Sequence, residues 1–258
     1  MNLRAIFSHA MKLAVFDLDG TLAESKSRVK PNMVDSLKKL LAKHDVAVIS
    51  GGAWPQFESQ LVNQLGLSSD ESRRLHLFPT SGTSFYNNHD GKKWNRVYYE
   101  GLTDEEVKKI MLAFRVVLDN PGVKMPTRFW GDQLENRGTQ ITFSAMGQLA
   151  PVEEKKKWDP SFFKRLILIE KLMQHLPEFA LKAGGSTSID VTRKGIDKAY
   201  GIAQMEKHLG IPRKEMLFIG DAIFPGGNDY AVQEAGVKCI ETSGPEFTIQ
   251  IIEEILKS

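Results

Sequence analysis

Short apolar blocks bounded by turn residues alternate along this chain with longer stretches whose apolar side chains fall three and four residues apart. Leu13-Ala14-Val15-Phe16 runs directly into Asp-Leu-Asp-Gly-Thr, Val46-Ala47-Val48-Ile49 stops at Ser50-Gly51-Gly52, and Leu75-His76-Leu77-Phe78 is a third block. Uninterrupted blocks of this length read as strands buried on both faces of a parallel sheet. After Pro31, the residues Met33, Val34, Leu37, Leu40 and Leu41 mark one face of a helix, and a more polar helix is predicted from Gln56 to Leu65. Strand, helix, strand, helix, strand is the order of a doubly wound α/β half-sheet.

The pattern then changes. Ser84-Phe85-Tyr86 and Trp94 to Tyr99 flank Asn87-Asn88-His89-Asp90-Gly91, a hairpin signal. Thr103 followed by Glu106 predicts a capping box, and Val107, Ile110, Met111, Phe114 and Val117 continue at helical spacing. Gln140 to Ser144 reads as a strand and Phe162 to Leu176 as an amphipathic helix, whereas the run Glu153-Glu154-Lys155-Lys156-Lys157 reads as a solvated loop. The buried-strand grammar returns with a helix from Ile196 to Leu209, strands at Met216–Ile219 and Val237–Ile240, and a last helix carrying Phe247, Ile251, Ile252 and Ile255. The fold class expected is therefore α/β, a Rossmann-like doubly wound parallel sheet core with an inserted α+β domain. Core residues would be 1–83 and 187–258, and the insert 84–186. Strong patterning begins at Met11, so residues 1–10 are expected to form a loosely held extension.

Composition narrows the partners. Thirty-four basic against 32 acidic side chains leave a charge of +2, too small a surplus for a nucleic-acid binder. Met1 to Ala10 lack the apolar core of a signal peptide, and no stretch is apolar enough for a membrane span. A single cysteine, Cys239, excludes an internal disulfide framework. A cytoplasmic protein is the expectation. Cys239 and most of Trp54, Trp94, Trp130 and Trp158 are expected to serve packing, and the six histidines show no zinc spacing.

The chemistry concentrates where the apolar blocks end. Asp17 and Asp19 stand at the carboxyl end of the first predicted strand, where open α/β sheets place their sites. On an extended backbone their side chains would project on the same side. Adjacent carboxylates repel, so a divalent cation beside them would hold the charge, freeing one to attack phosphorus and the other to handle a proton. Ser50 offers a hydroxyl after the second block. Lys198 lies near a helix start, and Asp221 follows Ile219-Gly220, with Asn228 and Asp229 a short loop away. So few hard oxygen ligands, completed by phosphate, suit magnesium.

This set resembles the haloacid dehalogenase superfamily of phosphotransferases through both halves of the core. The Asp-x-Asp-x-Thr motif of that family gives the nucleophile and the general acid/base, matched here by Asp17 and Asp19. Its hydroxyl, lysine and acidic motifs are matched by Ser50, by Lys198, and by Asp221 with Asn228 and Asp229. The insertion marks the subfamily with a large α/β cap. Within it the sequence is most similar to phosphomannomutases of eukaryotic type, through Gly184-Gly185, Ser188-Ile189-Asp190-Val191, Gly195-Ile196-Asp197-Lys198 and Pro225-Gly226-Gly227-Asn228-Asp229-Tyr230.

The resemblance implies Mg²⁺-dependent phosphoryl transfer on a hexose phosphate through an aspartyl phosphate. Catalysis would fall to Asp17, Asp19, Ser50 and Lys198, and the metal to Asp17, Asp19, Asp221, Asn228 and Asp229. Gly51, Gly52, Arg137, Gln148, Ser188 and Asp190 would bind substrate. A mutase would also need a hexose 1,6-bisphosphate activator, and a homodimer through an exposed cap hairpin is possible. Two positions depart from the pattern. Gln148 stands where the mutases carry an arginine, and Lys155 falls near a second. A guanidinium binds phosphate through a planar fork that an amide or an ammonium lacks. Mutase and sugar-phosphate phosphatase therefore both stay open, and a non-enzymatic phospho-acceptor module is the alternative from another class.

Overall fold

The computed structural model describes residues 11–184 and 186–257; the expected N-terminal extension, Gly185 and Ser258 lie outside them. Among the described residues eleven strands follow in order: β1 (Leu13–Phe16), β2 (Asp45–Ile49), β3 (Leu75–Phe78), β4 (Ser84–Asn87), β5 (Asn95–Tyr99), β6 (Leu134–Asn136), β7 (Ile141–Ser144), β8 (Phe179–Gly184), β9 (Ser188–Arg193), β10 (Met216–Gly220) and β11 (Lys238–Glu241). The chain divides into two compact units, one ending at Tyr99 and resuming at Ile196, the other spanning Glu100–Gly195.

The first unit is a seven-stranded sheet in the order β11-β10-β1-β2-β3-β4-β5. Its first five strands are parallel, and β4 and β5 join antiparallel. All four residues of β1 are fully buried, and alternation sends them to opposite faces. Ala14 and Phe16 pack with Leu37 and Leu40 of helix Pro31–Leu41 and with Ile251 and Ile252 of helix Pro245–Lys257. Leu13 and Val15 pack with Ile202 and Met205 of helix Lys198–Leu209. The continuous apolar blocks of the sequence thus correspond to strands covered by helices on both sides.

Two boundaries differ from expectation. The β4–β5 hairpin, expected in the insert, is the antiparallel edge of the core sheet. Phe85 stacks on Phe78 of β3 at 4.5 Å between ring centroids, and Tyr86 stacks on Trp54 at 3.9 Å. Successive residues of β4 therefore pack against aromatic partners of the first unit. At the other end β9 pairs with β7 and β8, so Ser188–Arg193 belongs with the insert.

The second unit is an antiparallel sheet, β6-β7-β9-β8. Its alternation is clean. Ile141, Phe143, Ile189 and Val191 pack with Ile110 and Phe114 of helix Asp104–Asp119 and with Leu168 and Leu172 of helix Phe163–His175. The expected capping box is present, with Glu106 N donating to Thr103 Oγ1 and Thr103 N to Glu106 Oε2. The charge run is not a loop but part of helix Val152–Trp158. Glu153 and Glu154 occupy its first turn and Lys155 to Lys157 its last, the arrangement that complements the helix dipole. Trp158 and Trp130 pack in this unit, Trp54 and Trp94 in the other, as expected; Cys239 is only half-buried. Among the described residues no helix is long and apolar enough to cross a membrane.

One turn of the core unit ties several elements together. After β3 the chain reverses through Pro79–Gly82, where Thr80 and Ser81 adopt positive φ (48° and 56°). That conformation is costly for residues with a Cβ. It lets Ser81 N donate to Ser50 O and Thr80 N to Gly52 O. Gly82 follows at φ +85°, and a Cβ there would lie 2.5 Å from Gly201 Cα of helix Lys198–Leu209. Gly82→Ala is expected to destabilise the protein by about 2–4 kcal/mol, combining left-handed strain with overpacking. A urea midpoint unchanged from wild type would show that the two backbones can part without cost.

Candidate active site

The parallel ladder delivers three of the singled-out side chains to one edge. Asp17 N donates to Ile219 O, so Asp17 extends β1 by one residue at its carboxyl end. Ser50 N donates to Phe78 O just past β2, and Asp221 follows β10 directly. The three strands are neighbours in the order β10-β1-β2. Immediately after Asp17 the chain folds on itself, with Leu18 O accepting from Leu22 N and Ala23 N at 3.0 Å. Gly20 in this turn has φ +87°, and a Cβ there would stand 2.2 Å from Asp221 Oδ2. Conformation and contact both require glycine at this point.

Lys198 opens its helix behind the N-cap Asp197, whose Oδ1 accepts from Tyr200 N at 3.1 Å. The Lys198 side chain is only 2% exposed. Its ammonium donates to Asp17 Oδ1 at 2.5 Å and also to Asp229 Oδ1, and it lies 5.7 Å from the Phe218 ring centroid. Asp229 is fully buried, and its second oxygen accepts from Ala222 N at 3.1 Å. A Cβ at Gly220 would stand 2.3 Å from that oxygen, so the strand end must be bare for the carboxylate to reach in. Asn228 beside it is exposed.

Asp17, Asp221 and Asp229 place carboxylate oxygens within 4.8 Å of one another. Burial pushes the Asp17 carboxyl up to about 7, with Lys198 pulling it down and Asp229 and Asp221 adding to the rise. Burial also raises Asp221, with Asp229 contributing. For Lys198 burial works against the charge, but Asp17 and Asp229 outweigh it and the pKa is raised. Three carboxylates against one ammonium would leave two surplus negative charges if all were ionised. A hard divalent cation fits that surplus and that oxygen set.

Asp19 is not one of this trio. The turn at Leu18 breaks the extended spacing that would have put both carboxylates on one side, and Asp19 has partners of its own. Gln56 Nε2 donates to its Oδ2 at 2.7 Å; Gln60 Nε2 and the backbone N of Lys26 donate to Oδ1 at 3.2 and 2.6 Å. Neither glutamine stood out in the sequence. Their spacing of four on a helix beside Ser50-Gly51-Gly52 was the available signal. Ser50 is buried and its Oγ accepts from Gly52 N at 3.3 Å, leaving its O–H to offer to an anion.

The remaining expected residues lie in the second unit, with Ser188 and Asp190 on the sheet face opposite the helices. Register puts Thr142 across from Asp190 and Ser144 across from Ser188. Asp190 Oδ1 accepts from Thr142 Oγ1 at 2.7 Å and from Gln140 Nε2 at 2.9 Å. Arg137 pairs with Glu135 through Nε at 2.9 Å, and Lys155 Nζ donates to the backbone carbonyl of Gln148 at 3.0 Å. Gln148 Nε2 itself donates to Thr142 O at 3.3 Å.

A family model described as eukaryotic phosphomannomutase matches residues 33–258. The chain belongs to the eukaryotic phosphomannomutase family. It is 30% identical over 254 residues to the phosphomannomutase of Spinacia oleracea, covering 94% of this chain and 95% of that one. With the phosphomannomutase of Saccharomyces cerevisiae it shares 29% over 252 residues, covering 94% and 93%. Among solved structures, the IMP-nucleotidase of Plasmodium falciparum in its IMP-bound, N-terminally truncated form aligns with a TM-score of 0.71 at 16% identity, over 99% of this chain and 71% of the other. Trehalose-6-phosphate phosphatase of Aspergillus fumigatus aligns with a TM-score of 0.59 at 17% identity, covering 99% and 96%. These likenesses place the fold among haloacid dehalogenase-type proteins, and with the family they make the chain an enzyme of that type.

The raised carboxyls bear on stability. A carboxyl whose folded pKa lies above its unfolded value of 3.8 contributes stability that is full below that value and is lost as pH rises through about 7. Metal-free protein is therefore expected to lose urea resistance between pH 4 and 7 relative to Asp17→Asn, which cannot shed that proton. Saturating Mg²⁺ should restore the wild type. Parallel pH profiles for the two proteins in chelator would contradict the buried, electrostatically crowded setting of Asp17.

Proposed function

We propose that the enzyme transfers the phosphoryl group of a hexose phosphate through an aspartyl phosphate on Asp17, interconverting mannose 6-phosphate and mannose 1-phosphate. The observation that carries this reading is the buried Lys198 ammonium between Asp17 and Asp229 at the carboxyl edge of the sheet, in a chain of this family. Lys198 balances the carboxylate charge, so that an anionic phosphate can approach an anionic nucleophile. An Asp17 oxygen attacks one phosphorus of a hexose 1,6-bisphosphate in line, the bond from phosphorus to the sugar oxygen breaks, and Asp19 gives that oxygen its proton as a hexose monophosphate leaves. Asp19 then takes a proton from the free hydroxyl of mannose 6-phosphate, which attacks phosphorus, releases Asp17 and forms a hexose 1,6-bisphosphate. When that bisphosphate gives its other phosphoryl group to Asp17, mannose 1-phosphate leaves.

Ser50, whose Oγ is held by Gly52 N, and the backbone amide of Gly51 orient the transferring group. Asp17, Asp221 and Asp229 fit a magnesium ion, with Asn228 beside them and Asp19 kept as a proton carrier. The ion would supply charge neutralisation at the phosphoryl oxygens. Arg137, Gln148, Ser188 and Asp190 of the second unit select the sugar, in a reducing, cytoplasmic setting.

One observation favours a second reading. Where the mutases use arginines, Gln148 and Lys155 are bonded to groups of their own unit, and Arg137 is paired with Glu135. A weaker hold on a distal phosphate favours water over a second sugar hydroxyl as acceptor, which would make the enzyme a sugar-phosphate phosphatase. Phosphorus NMR with Mg²⁺, mannose 1-phosphate and a trace of glucose 1,6-bisphosphate separates the two. Growth of mannose 6-phosphate is expected, and inorganic phosphate alone would establish the phosphatase. Asp17→Asn should lower either turnover by at least ~10³-fold. Retained phosphoenzyme in that variant would remove Asp17 as nucleophile.

A further inference from the structure

Asp19 is held on both carboxylate oxygens by side-chain amides, and the way those amides are themselves held is unusual. Gln60 lies within a π-helical segment, Glu58–Val62, between the helical turns Trp54–Phe57 and Asn63–Leu65. Such widened turns concentrate at functional sites. Here the widened turn is bonded to the loop that follows Asp19: Val29 N donates to Gln60 O at 2.9 Å, and Gln60 Nε2 donates to Ser27 O at 2.9 Å. The bond to Ser27 O fixes which way the amide faces, so Gln60 presents a donor and not an acceptor to Asp19. The consequence is visible at the other end of the amide. Gln60 is buried, and its Oε1 has no hydrogen-bond partner among the described residues. A buried acceptor left without a partner calls for a reason, and the donor bonds of the same amide to Asp19 and Ser27 O supply one.

Gln56 reaches the second oxygen by a different constraint. A Cβ at Gly52 would stand 2.3 Å from Gln56 Oε1, so the amide crosses the backbone of Gly52 on its way to Asp19. Gly52 is therefore bare for Gln56, and the Ser50-Gly51-Gly52 turn and Asp19 are coupled through that side chain.

We infer that Gln56 and Gln60 are positioning residues that set the direction of the Asp19 carboxylate toward the sugar oxygen. The inference rests on the reading of Asp19 as the acid/base. It assigns a task to the π-helical segment, which would otherwise be an irregularity, and to the glycine at position 52.

The test uses leaving groups. A sugar oxygen cannot depart from phosphorus as an alkoxide, so Asp19 must deliver a proton as the bond breaks. The phenolate of p-nitrophenyl phosphate departs without one. Single-turnover formation of phosphoenzyme should therefore be measured for Gln56→Leu, Gln60→Leu and Asp19→Asn, in the full chain, with glucose 1,6-bisphosphate and with p-nitrophenyl phosphate. Each glutamine variant is expected to slow the sugar reaction by roughly 10-fold or more, part of the ~10²–10⁴ that general acid catalysis supplies. The aryl reaction should change by less than about 2-fold, with KM for the sugar within about 3-fold. Equal slowing of both substrates, or of neither, would overturn the inference. Gln56 is half-exposed, so Gln56→Leu decides the matter if the buried Gln60→Leu does not fold. Asp19→Asn separates the two levels of the argument. If it fails to discriminate between the substrates, the acid/base reading is wrong. If it discriminates and the glutamine variants do not, only their role falls.

Discussion

A single ammonium buried between two carboxylates sets the terms for the rest of this protein. Lys198 and Asp229 are almost wholly out of water, and so is Asp17. Desolvating each ion costs several kcal/mol, and only close pairing in good geometry offsets it. Much of the surrounding architecture serves that geometry. Gly220 is bare so that Asp229 can lie against the strand end, and Gly82 and Gly201 are bare so that the Lys198 helix can press onto the turn after β3. Gly201 lies three residues after Lys198, on the same side of the helix. The depth to which Lys198 is driven is thus fixed by contact between two backbones, and that contact is as rigid as any a chain can make.

How much of this was legible in the sequence depended on whether the deciding partner was local. The apolar blocks at Leu13–Phe16 and Val46–Ile49 announced buried parallel strands because continuous burial needs no knowledge of the neighbour. Asp17, Lys198, Asp221 and Asp229 were found by motif, and the fold brings them together. The hairpin of β4 and β5 was assigned to the wrong unit, since its alternation would suit either sheet and only Phe78 and Trp54 decide between them. Asp17 and Asp19 were expected side by side because their spacing assumes an extended chain, and the turn at Leu18 removes that premise. Gln56 and Gln60 went unnoticed because an amide carries no motif. Their meaning comes from a widened helical turn and from a glycine over which one of them passes.

The second unit is built on alternation. In β7 and β9 every second side chain is apolar and faces the helices, which leaves Thr142, Ser144, Ser188 and Asp190 on a common polar face. That face is a hydrogen-bonding surface more than a charged one. Asp190 is bonded by Thr142 and Gln140, and the amide of Gln148 stands where the family resemblance leads one to look for a guanidinium. Beneath it, the buried Arg165 pairs with Asp159 at 2.8 Å and donates to Gly184 O at 3.0 Å, anchoring the end of β8. Under the proposed function, a face so built would distinguish hydroxyl patterns better than it holds remote anions, and the balance between sugar and water as phosphoryl acceptor would rest with it.

The two carboxylates of the first motif also belong to different stages of the chain's history on the ribosome. Asp19 finds its amides within 41 residues, so that half of the site can assemble as soon as the second helix has emerged. Asp17 waits 181 residues for Lys198, and its strand remains open on the β10 side until the inserted unit has been made. Long-range parallel pairing is slow, and a domain interrupted by another must hold its first half in readiness. With the roles proposed for Asp19 and Asp17, the proton-handling half of the centre would then precede the phosphoryl-accepting half, and a nascent chain would stay chemically silent until its last strands close the sheet.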